Sequence, residues 1–248
     1  VIPRARGNVR SRSEESILTE LAALVKAGYS EVVLSGINLS SYGKDTGTTL
    51  AEIVEKAAGV DGIERIRLGS LEPDLMDDVC IARMAKVKKL CPQFHLALQS
   101  GCDKTLRSMR RIYNTAEYRT VVNKMRAAFP RAVFTTDIIV GFPGETQEDF
   151  EQTVAFVKEI GYLKVHVFSY SRRAGTPAYD MPNQIAESEK LTRSHRLQAA
   201  SDAVRAKVIA AMAGTMAEVL LEKSVNNQLF TGYTCEYVPV LVSAKEHK

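Results

Sequence analysis

Short apolar segments recur along this chain at nearly even intervals, each followed by a helical pattern. Their starts, Glu31, Ile63, His95, Val133 and Val165, lie 32, 32, 38 and 32 residues apart. Strand and helix alternating at that period mean a parallel sheet, because a right-handed crossover through a helix returns the chain to the same end of the sheet. Strands are expected at Glu31–Leu34, 63–68, 95–98, Val133–Val140 and 165–170. Helices are expected at 14–27, Leu50–Ala58, 74–86, 104–109, 116–129 and Gln147–Ile160. In the first of these, Ile17, Leu18, Leu21, Leu24 and Val25 share one face, Ser13 can cap the start and Gly28 can end it. Periodicity does not separate a barrel from an open sheet. In both, ligands gather at the C-terminal ends of the strands.

Length and composition narrow the class. With 248 residues and 45% hydrophobic content the chain can bury a substantial core. No apolar run is long enough to span a bilayer, and Val1-Ile2-Pro3-Arg4-Ala5-Arg6 lacks the apolar stretch of a signal peptide, so a cytoplasmic protein with no membrane partner is expected. Cys80, Cys91, Cys102 and Cys235 are too widely spaced for a C-x-x-C metal pair and read as reduced thiols. After Tyr170 the alternation stops. A long helix over 188–212 leads to strand-like pieces at 216–221, 229–233 and 237–242, separated by turn signals at Asn226-Asn227 and at 234–236. Two units are expected: an α/β core over 1–213, and over 214–248 the opening of a small β-domain that the C-terminus cuts short. Three such strands bury too little surface to stand alone.

The net charge of +4 is unevenly spread. Arg4, Arg6, Arg10 and Arg12 open the chain with no acid among them. Across 103–131, Lys104, Arg107, Arg110, Arg111, Arg119, Lys124, Arg126 and Arg131 face only Asp103 and Glu117. A solvated helix face accounts for one such cluster. Two, one of them an arginine-rich arm, point to a polyanionic partner such as RNA.

The strand ends line up as one candidate site. Ser35-Gly36-Ile37-Asn38 follows the strand at Glu31, and Gln99-Ser100-Gly101 follows the strand at His95. Thr136, Asp137, Gly141 and Glu145 bracket the next strand end, where an apolar run meets Gly141-Phe142-Pro143-Gly144 and Thr146 can cap the helix at Gln147. The last strand leads into Tyr170-Ser171-Arg172-Arg173 and Gly175-Thr176-Pro177. Each alone reads as a loop turn; four at successive strand ends read as a ligand site. There is no paired-carboxylate arrangement, nucleophile elbow, P-loop or zinc spacing. His95 and His166 lie inside apolar segments and read as core histidines. The residues define a ligand-binding α/β scaffold without a reaction centre of its own.

Several of these motifs together resemble one family. Pro3-Arg4-Ala5-Arg6-Gly7, Arg10-Ser11-Arg12, Leu34-Ser35-Gly36-Ile37-Asn38 with Tyr42-Gly43, and Leu98-Gln99-Ser100-Gly101 are similar to methylthiotransferases of the radical S-adenosylmethionine superfamily. So are Met109-Arg110-Arg111-Ile112-Tyr113, the stretch 137–146, and the stretch 166–178. The Arg4-Ala5-Arg6-Gly7 and Ser35-Gly36-Ile37-Asn38 variants look most like the branch acting on N6-threonylcarbamoyladenosine in tRNA. The isopentenyladenosine and ribosomal-protein branches show other residues there.

The resemblance implies a partial six-stranded (β/α) barrel with parallel strands, followed by the start of a TRAM-like RNA-binding β-domain. It implies S-adenosylmethionine and two 4Fe–4S clusters as cofactors of the intact protein. The C-x-x-x-C-x-x-C loop of the family would end immediately before Val1, so the cluster ligands and the first strand are absent here and the chain alone is expected to be inactive. By the same resemblance Ser35, Gly36 and Asn38 fall near the methionyl end of S-adenosylmethionine, Gln99 and Ser100 near its ribose, and Val140, Gly141, Phe142 and Tyr170 near its adenine. Arg4, Arg6, Arg110, Arg111 and Arg173 would meet phosphates of a tRNA anticodon stem-loop, and an external electron donor and a sulfur source would complete the partners. Two rival expectations are an iron-free (β/α) barrel isomerase or aldolase that binds a phosphorylated substrate, and a non-catalytic RNA-binding fragment.

Overall fold

A computed structural model describes residues 7–226 and 228–243. Helix α1 (Glu14–Lys26) starts where the Ser13 hydroxyl accepts the Ser16 N–H. It leads to β1 (Glu31–Leu34), then α2 (Leu50–Ala58), β2 (Arg65–Leu68), β3 (Ser70–Leu71), α3 (Asp78–Met84) and β4 (Gln93–Leu96). Helices α4 (Asp103–Ser108) and α5 (Thr115–Ala128), strand β5 (Val133–Val140), α6 (Gln147–Ile160), β6 (Lys164–Ser169) and α7 (Glu187–Ala210) complete the core. Reciprocal caps open α2 (Thr49 with Glu52), α5 (Asn114 with Glu117) and α6 (Thr146 with Asp149). Such caps are worth about 1 kcal/mol each, which is why the boundaries of α2 and α6 fall where the sequence marks them.

All strand pairs in the core are parallel, and β1 pairs with β2 while β3, β4, β5 and β6 follow in order. The two ladders join through β2, whose Ile66 N–H donates to the Lys89 carbonyl at 2.8 Å and whose Ile66 carbonyl accepts the Cys91 N–H at 2.9 Å just ahead of β4, so the wall is the one parallel course that the βα period predicts. Strands β2 and β3 form one course broken at Gly69, whose N–H turns back to the Leu34 carbonyl at 2.8 Å. A glycine break lets a curling sheet change direction. Helix 74–86 is likewise divided. A 3-10 turn at Pro73–Leu75 precedes α3, because the Asp77 carboxylate accepts the Cys80 N–H and starts the helix afresh.

Side chains alternate across the wall. Val32, Ile66, Leu68, Phe94, Leu96, Phe134, Ile138 and Val165 enter the hydrophobic core with the helices. Glu31, Arg65, Arg67, Gln93, His95, Thr135, Asp137 and His166 occupy the alternate positions. Helices thus cover one face only, as in a barrel wall.

After α7 the chain forms an antiparallel sheet of β7 (Val219–Asn226), β8 (Leu229–Thr234) and β9 (Pro239–Ser243). Its first strand begins later than 216 and runs on to Asn226, while Asn227 of the expected turn lies outside the described residues. The β8–β9 turn docks against the N-terminal ends of the core strands. Val238 is buried with Val133 and Leu163 against Val208, Ile209 and Met212. Arg67 donates to Glu31 at 2.8 Å and to the carbonyls of Cys235 at 2.8 Å and Thr234 at 3.0 Å. Arg65 donates to the Tyr233 carbonyl at 3.0 Å and to Glu218 at 2.9 Å. The three strands are not left to stand alone; buried guanidinium groups hold them.

Arg67→Met keeps the aliphatic stem but removes the donor to these carbonyls and leaves Glu31 only its 3.7 Å ion pair with Arg65. It is expected to cost about 3 kcal/mol in urea unfolding and to open 219–243 to limited proteolysis. An unchanged cleavage pattern would assign the docking to the Val238 cluster alone.

Candidate functional site

The C-terminal ends of β1, β4, β5 and β6 carry the strand-end motifs in order, but their side chains do different things. Ser35, Gly36, Ile37 and Asn38 are all exposed, and the Asn38 amide makes no capping bond to the 3-10 turn it precedes. They border a cavity of about 940 Å³ closed by β1, α1 and residues 7–12. That volume lies within the range of small-ligand sites. Gln99, Ser100, Val140, Gly141, Phe142 and Tyr170 do not line it.

Gln99 is half-exposed and sits between β4 and β5, with its N–H on the Asp137 carbonyl and its carbonyl on the Ile139 N–H, both at 2.9 Å. Its φ of 72° is left-handed, a strained backbone for a residue with a side chain. Ser100 departs from the expected ligand role. It is wholly buried, its hydroxyl lies 3.3 Å from the Thr153 hydroxyl and it accepts the Cys102 N–H at 3.2 Å. Gly101 packs directly on α6, where an added Cβ would lie 2.8 Å from the Thr153 backbone. These residues seat a helix; they do not face the rim.

The loop after β5 is likewise committed from within. The Val140 carbonyl accepts the Tyr170 N–H at 2.9 Å, and the Gly141 N–H donates to Glu145 at 2.9 Å. Burial raises the Glu145 carboxyl above its ordinary value, and Arg193 of α7 answers it at 2.7 Å. At Gly141, φ is 72° and an added Cβ would lie 2.4 Å from Lys190 Cγ. The glycine therefore makes room for α7, and not for a ligand as its strand-end place suggests. Phe142 is buried and packs edge to face with Tyr170 at 5.2 Å between centroids. The Tyr170 hydroxyl is buried without a partner among the described residues, so it retains donor and acceptor capacity at the rim.

The inner face of the wall is the part that the motifs missed. His95 and His166 are half-exposed beside Asp137, not core histidines. His95 Nδ1 lies 3.0 Å from the Thr135 hydroxyl and its Nε2 lies 3.5 Å from Asp137. Burial, then the charge of Lys164, holds His166 below its usual pKa. The signal was present in the alternation of Arg65-Ile66-Arg67-Leu68, Gln93-Phe94-His95-Leu96 and Lys164-Val165-His166-Val167. Every second residue is polar in strands that look apolar by average.

The basic stretch 103–131 is largely neutralised. Lys104 pairs with Asp149, Lys124 with Asp78 and Arg131 with Glu236, each at 2.6 Å, and Arg119 pairs with Glu159. Arg111 lies 3.5 Å from Glu72, whereas Arg107, Arg110 and Arg173 are exposed and have no ion pair among the described residues. Arg4 and Arg6 lie outside the described residues. No described helix is long and apolar enough to cross a membrane.

The sequence profile of the radical SAM superfamily matches residues 2–157. In sequence the chain is 43% identical over 230 residues to tRNA-2-methylthio-N(6)-dimethylallyladenosine synthase of Clostridium botulinum (strain Okra / Type B1), covering 92% of this chain and 51% of that protein. It is 40% identical over 234 residues to threonylcarbamoyladenosine tRNA methylthiotransferase MtaB of Chlamydia pneumoniae, covering 94% and 55%. In fold it is similar to methylornithine synthase (PylB), with a TM-score of 0.55 at 15% identity over 81% of this chain and 61% of that one. Coproporphyrinogen III oxidase (HemN) from Escherichia coli gives 0.56 at 15% over 79% and 48%. The chain belongs to the radical SAM superfamily. Within it, its sequence relatives bear the names of tRNA-modifying enzymes, and the chain spans about half the length of these curated relatives.

The superfamily implies a 4Fe–4S cluster, and the cysteines of this chain do not fit one. No three of them come together among the described residues, and Cys91 and Cys102 are buried. Burial pushes the Cys80 thiol up to about 11 and the Cys91 thiol up to about 12, so both stay protonated. Anaerobic treatment with iron and sulfide should therefore leave no stoichiometric acid-labile sulfide on this chain; a full cluster complement would overturn the assignment.

The glycines of the β5 loop give a second test. Gly144, with φ of 80° and open space at its Cβ position, should lose about 1–2 kcal/mol on change to Ala from the left-handed backbone alone. Gly141→Ala should lose about 1–3 kcal/mol more, because Lys190 must move. Equal losses in urea unfolding would mean that the Lys190 stem yields freely.

Proposed function

We propose that this chain is the S-adenosylmethionine- and RNA-binding portion of a tRNA methylthiotransferase, a transferase that adds a methylthio group to C2 of N6-threonylcarbamoyladenosine next to the anticodon. The observation that carries the reading is identity of 40% or more, over at least nine-tenths of this chain, to relatives named for such tRNA adenosines. The choice of threonylcarbamoyladenosine rests on the Ser35-Gly36-Ile37-Asn38 and Arg4-Ala5-Arg6-Gly7 variants. The dimethylallyladenosine branch is the second reading, favoured by the 43% identity to its synthase.

S-adenosylmethionine would supply the methyl group and the radical chemistry of such a reaction. The chain's own residues would bind and orient. Ser35, Gly36 and Asn38 offer exposed polar groups and an open backbone for the methionyl end. Gln99 serves the ribose, and Phe142 and Tyr170 supply the aromatic wall for adenine. The unpartnered Tyr170 hydroxyl fits such a ligand, being a buried polar group that waits for a partner. Ser100, Val140 and Gly141 act one step back, by fixing the loops. Residues 1–213 form the core in this reading, and 214–248 open a TRAM-like domain that joins Arg110 and Arg173 in holding tRNA phosphates. A second cluster, an external electron donor and a sulfur source complete the proposed reaction, which takes place in the cytoplasm.

Binding of anticodon stem-loops, measured against salt, tests this. Each arginine on a phosphate releases counterions, so Arg110→Ala and Arg173→Ala should each flatten the log–log salt slope by about one unit. Arg111→Ala should flatten it less, because Glu72 at 3.5 Å competes with a phosphate for that guanidinium. Equal slopes in all variants would remove the phosphate role. Preference for a stem-loop carrying the dimethylallyl group over one carrying threonylcarbamoyl would select the second reading.

A further inference from the structure

Three neighbouring parallel strands bring two imidazoles and one carboxylate to the same place on the inner face. Asp137 of β5 stands directly opposite His166 of β6 in the ladder, and His95 of β4 stands opposite Thr135. The ligand atoms of His95, Asp137 and His166 all lie within 4.8 Å of one another, and each residue is half-exposed. An ion could therefore reach them from solvent.

We propose that His95, Asp137 and His166 form a site for a divalent first-row transition ion of the zinc, iron or cobalt class. His95 Nε2 and Asp137 Oδ2 are 3.5 Å apart. That is long for a hydrogen bond. It matches the separation of about 3.4 Å between two ligands held tetrahedrally at zinc–nitrogen and zinc–oxygen distances. A supporting shell is in place behind them. His95 Nδ1 lies 3.0 Å from the Thr135 hydroxyl, and Gln93 Nε2 donates to that same oxygen at 3.3 Å. In the tautomer that carries its proton on Nδ1, directed at Thr135, His95 turns the Nε2 lone pair toward the carboxylate. Two acceptors then face each other, an arrangement that a cation between them reconciles. Orientation of a ligand histidine through its second nitrogen is the usual outer partnership at metal sites.

Two histidines and one carboxylate select a borderline metal over calcium or magnesium, which prefer all-oxygen sites. Three protein ligands leave at least one position open toward the inner face for water or for an oxygen or nitrogen of a ligand. The site uses no cysteine and does not rest on the proposed tRNA reaction.

Chelator-treated chain titrated with Co²⁺ tests it. One ion per chain should bind with micromolar affinity and give visible bands of a four- or five-coordinate ion without cobalt–thiolate charge transfer. Zn²⁺ should displace it and Mg²⁺ should not. Asp137→Asn, which keeps the shape of the side chain, and His166→Ala should each weaken binding at least about tenfold, and Thr135→Val by about tenfold through the outer partner. Circular dichroism of each variant establishes that it is folded, and Asp137→Asn serves if His166→Ala is not. A thiolate band, affinity unchanged in Asp137→Asn, or no binding at a hundredfold excess of Co²⁺ would each overturn the site, and none would bear on tRNA binding.

Discussion

The Arg67 guanidinium ties two separate parts of the molecule together. One edge meets Glu31 on β1, the other meets the carbonyls of Thr234 and Cys235, and its face covers the Tyr237 ring 4.6 Å away. Tyr237 in turn stacks on Tyr233 at 4.7 Å, whose carbonyl takes Arg65. A buried charge is tolerable only when paired and hydrogen-bonded, so the strand ends, Glu31 and the β8–β9 turn must be in place together. This couples the C-terminal sheet to the parallel wall. It also closes the N-terminal ends of the strands and leaves their C-terminal ends as the open side.

That coupling decides the character of the inner face. A barrel interior is usually packed with branched apolar side chains. Here arginines, glutamine, histidines and an aspartate occupy it in alternate positions, and each needs a partner or water. At the closed end the partners are protein carbonyls and carboxylates. Toward the open end they thin out to the buried Thr135 and to Asp137, His95 and His166, which remain half-exposed. Polarity without full satisfaction concentrates where a ligand has access.

The rim follows a different logic. Glu145 bridges the Gly141 N–H and Arg193, while Lys190 fills the space beside the glycine. The β5 loop is therefore held by α7, a helix outside the βα repeat, and its shape depends on packing far along the chain. Ser100 and Gly101 show the same principle at β4, where residues that look ligand-facing are consumed in seating α6. What stays accessible at this edge is Ser35, Asn38 and the half-exposed Gln99, while the Tyr170 hydroxyl is buried and unpartnered among the described residues.

The sequence by itself determined the order of elements, because the βα period, the apolar faces and the caps at Ser13 and Thr146 are local signals. Strands β1 and β5 and helices α2 and α6 fall where those signals put them. Motif resemblance was also legible, and it led to the superfamily. The break at Gly69, the division of 74–86 at Asp77 and the fate of each charge were not. Arg111, Arg119, Lys124 and Arg131 look free in sequence because their carboxylate partners lie 39 or more residues away, at Glu72, Glu159, Asp78 and Glu236. His95, Asp137 and His166 look like isolated polar residues in apolar strands for the same reason. Only the parallel register, which sets β4, β5 and β6 side by side with matching alternation, turns them into one site; direction along a strand is local, but which residues stand opposite is a property of the assembled sheet.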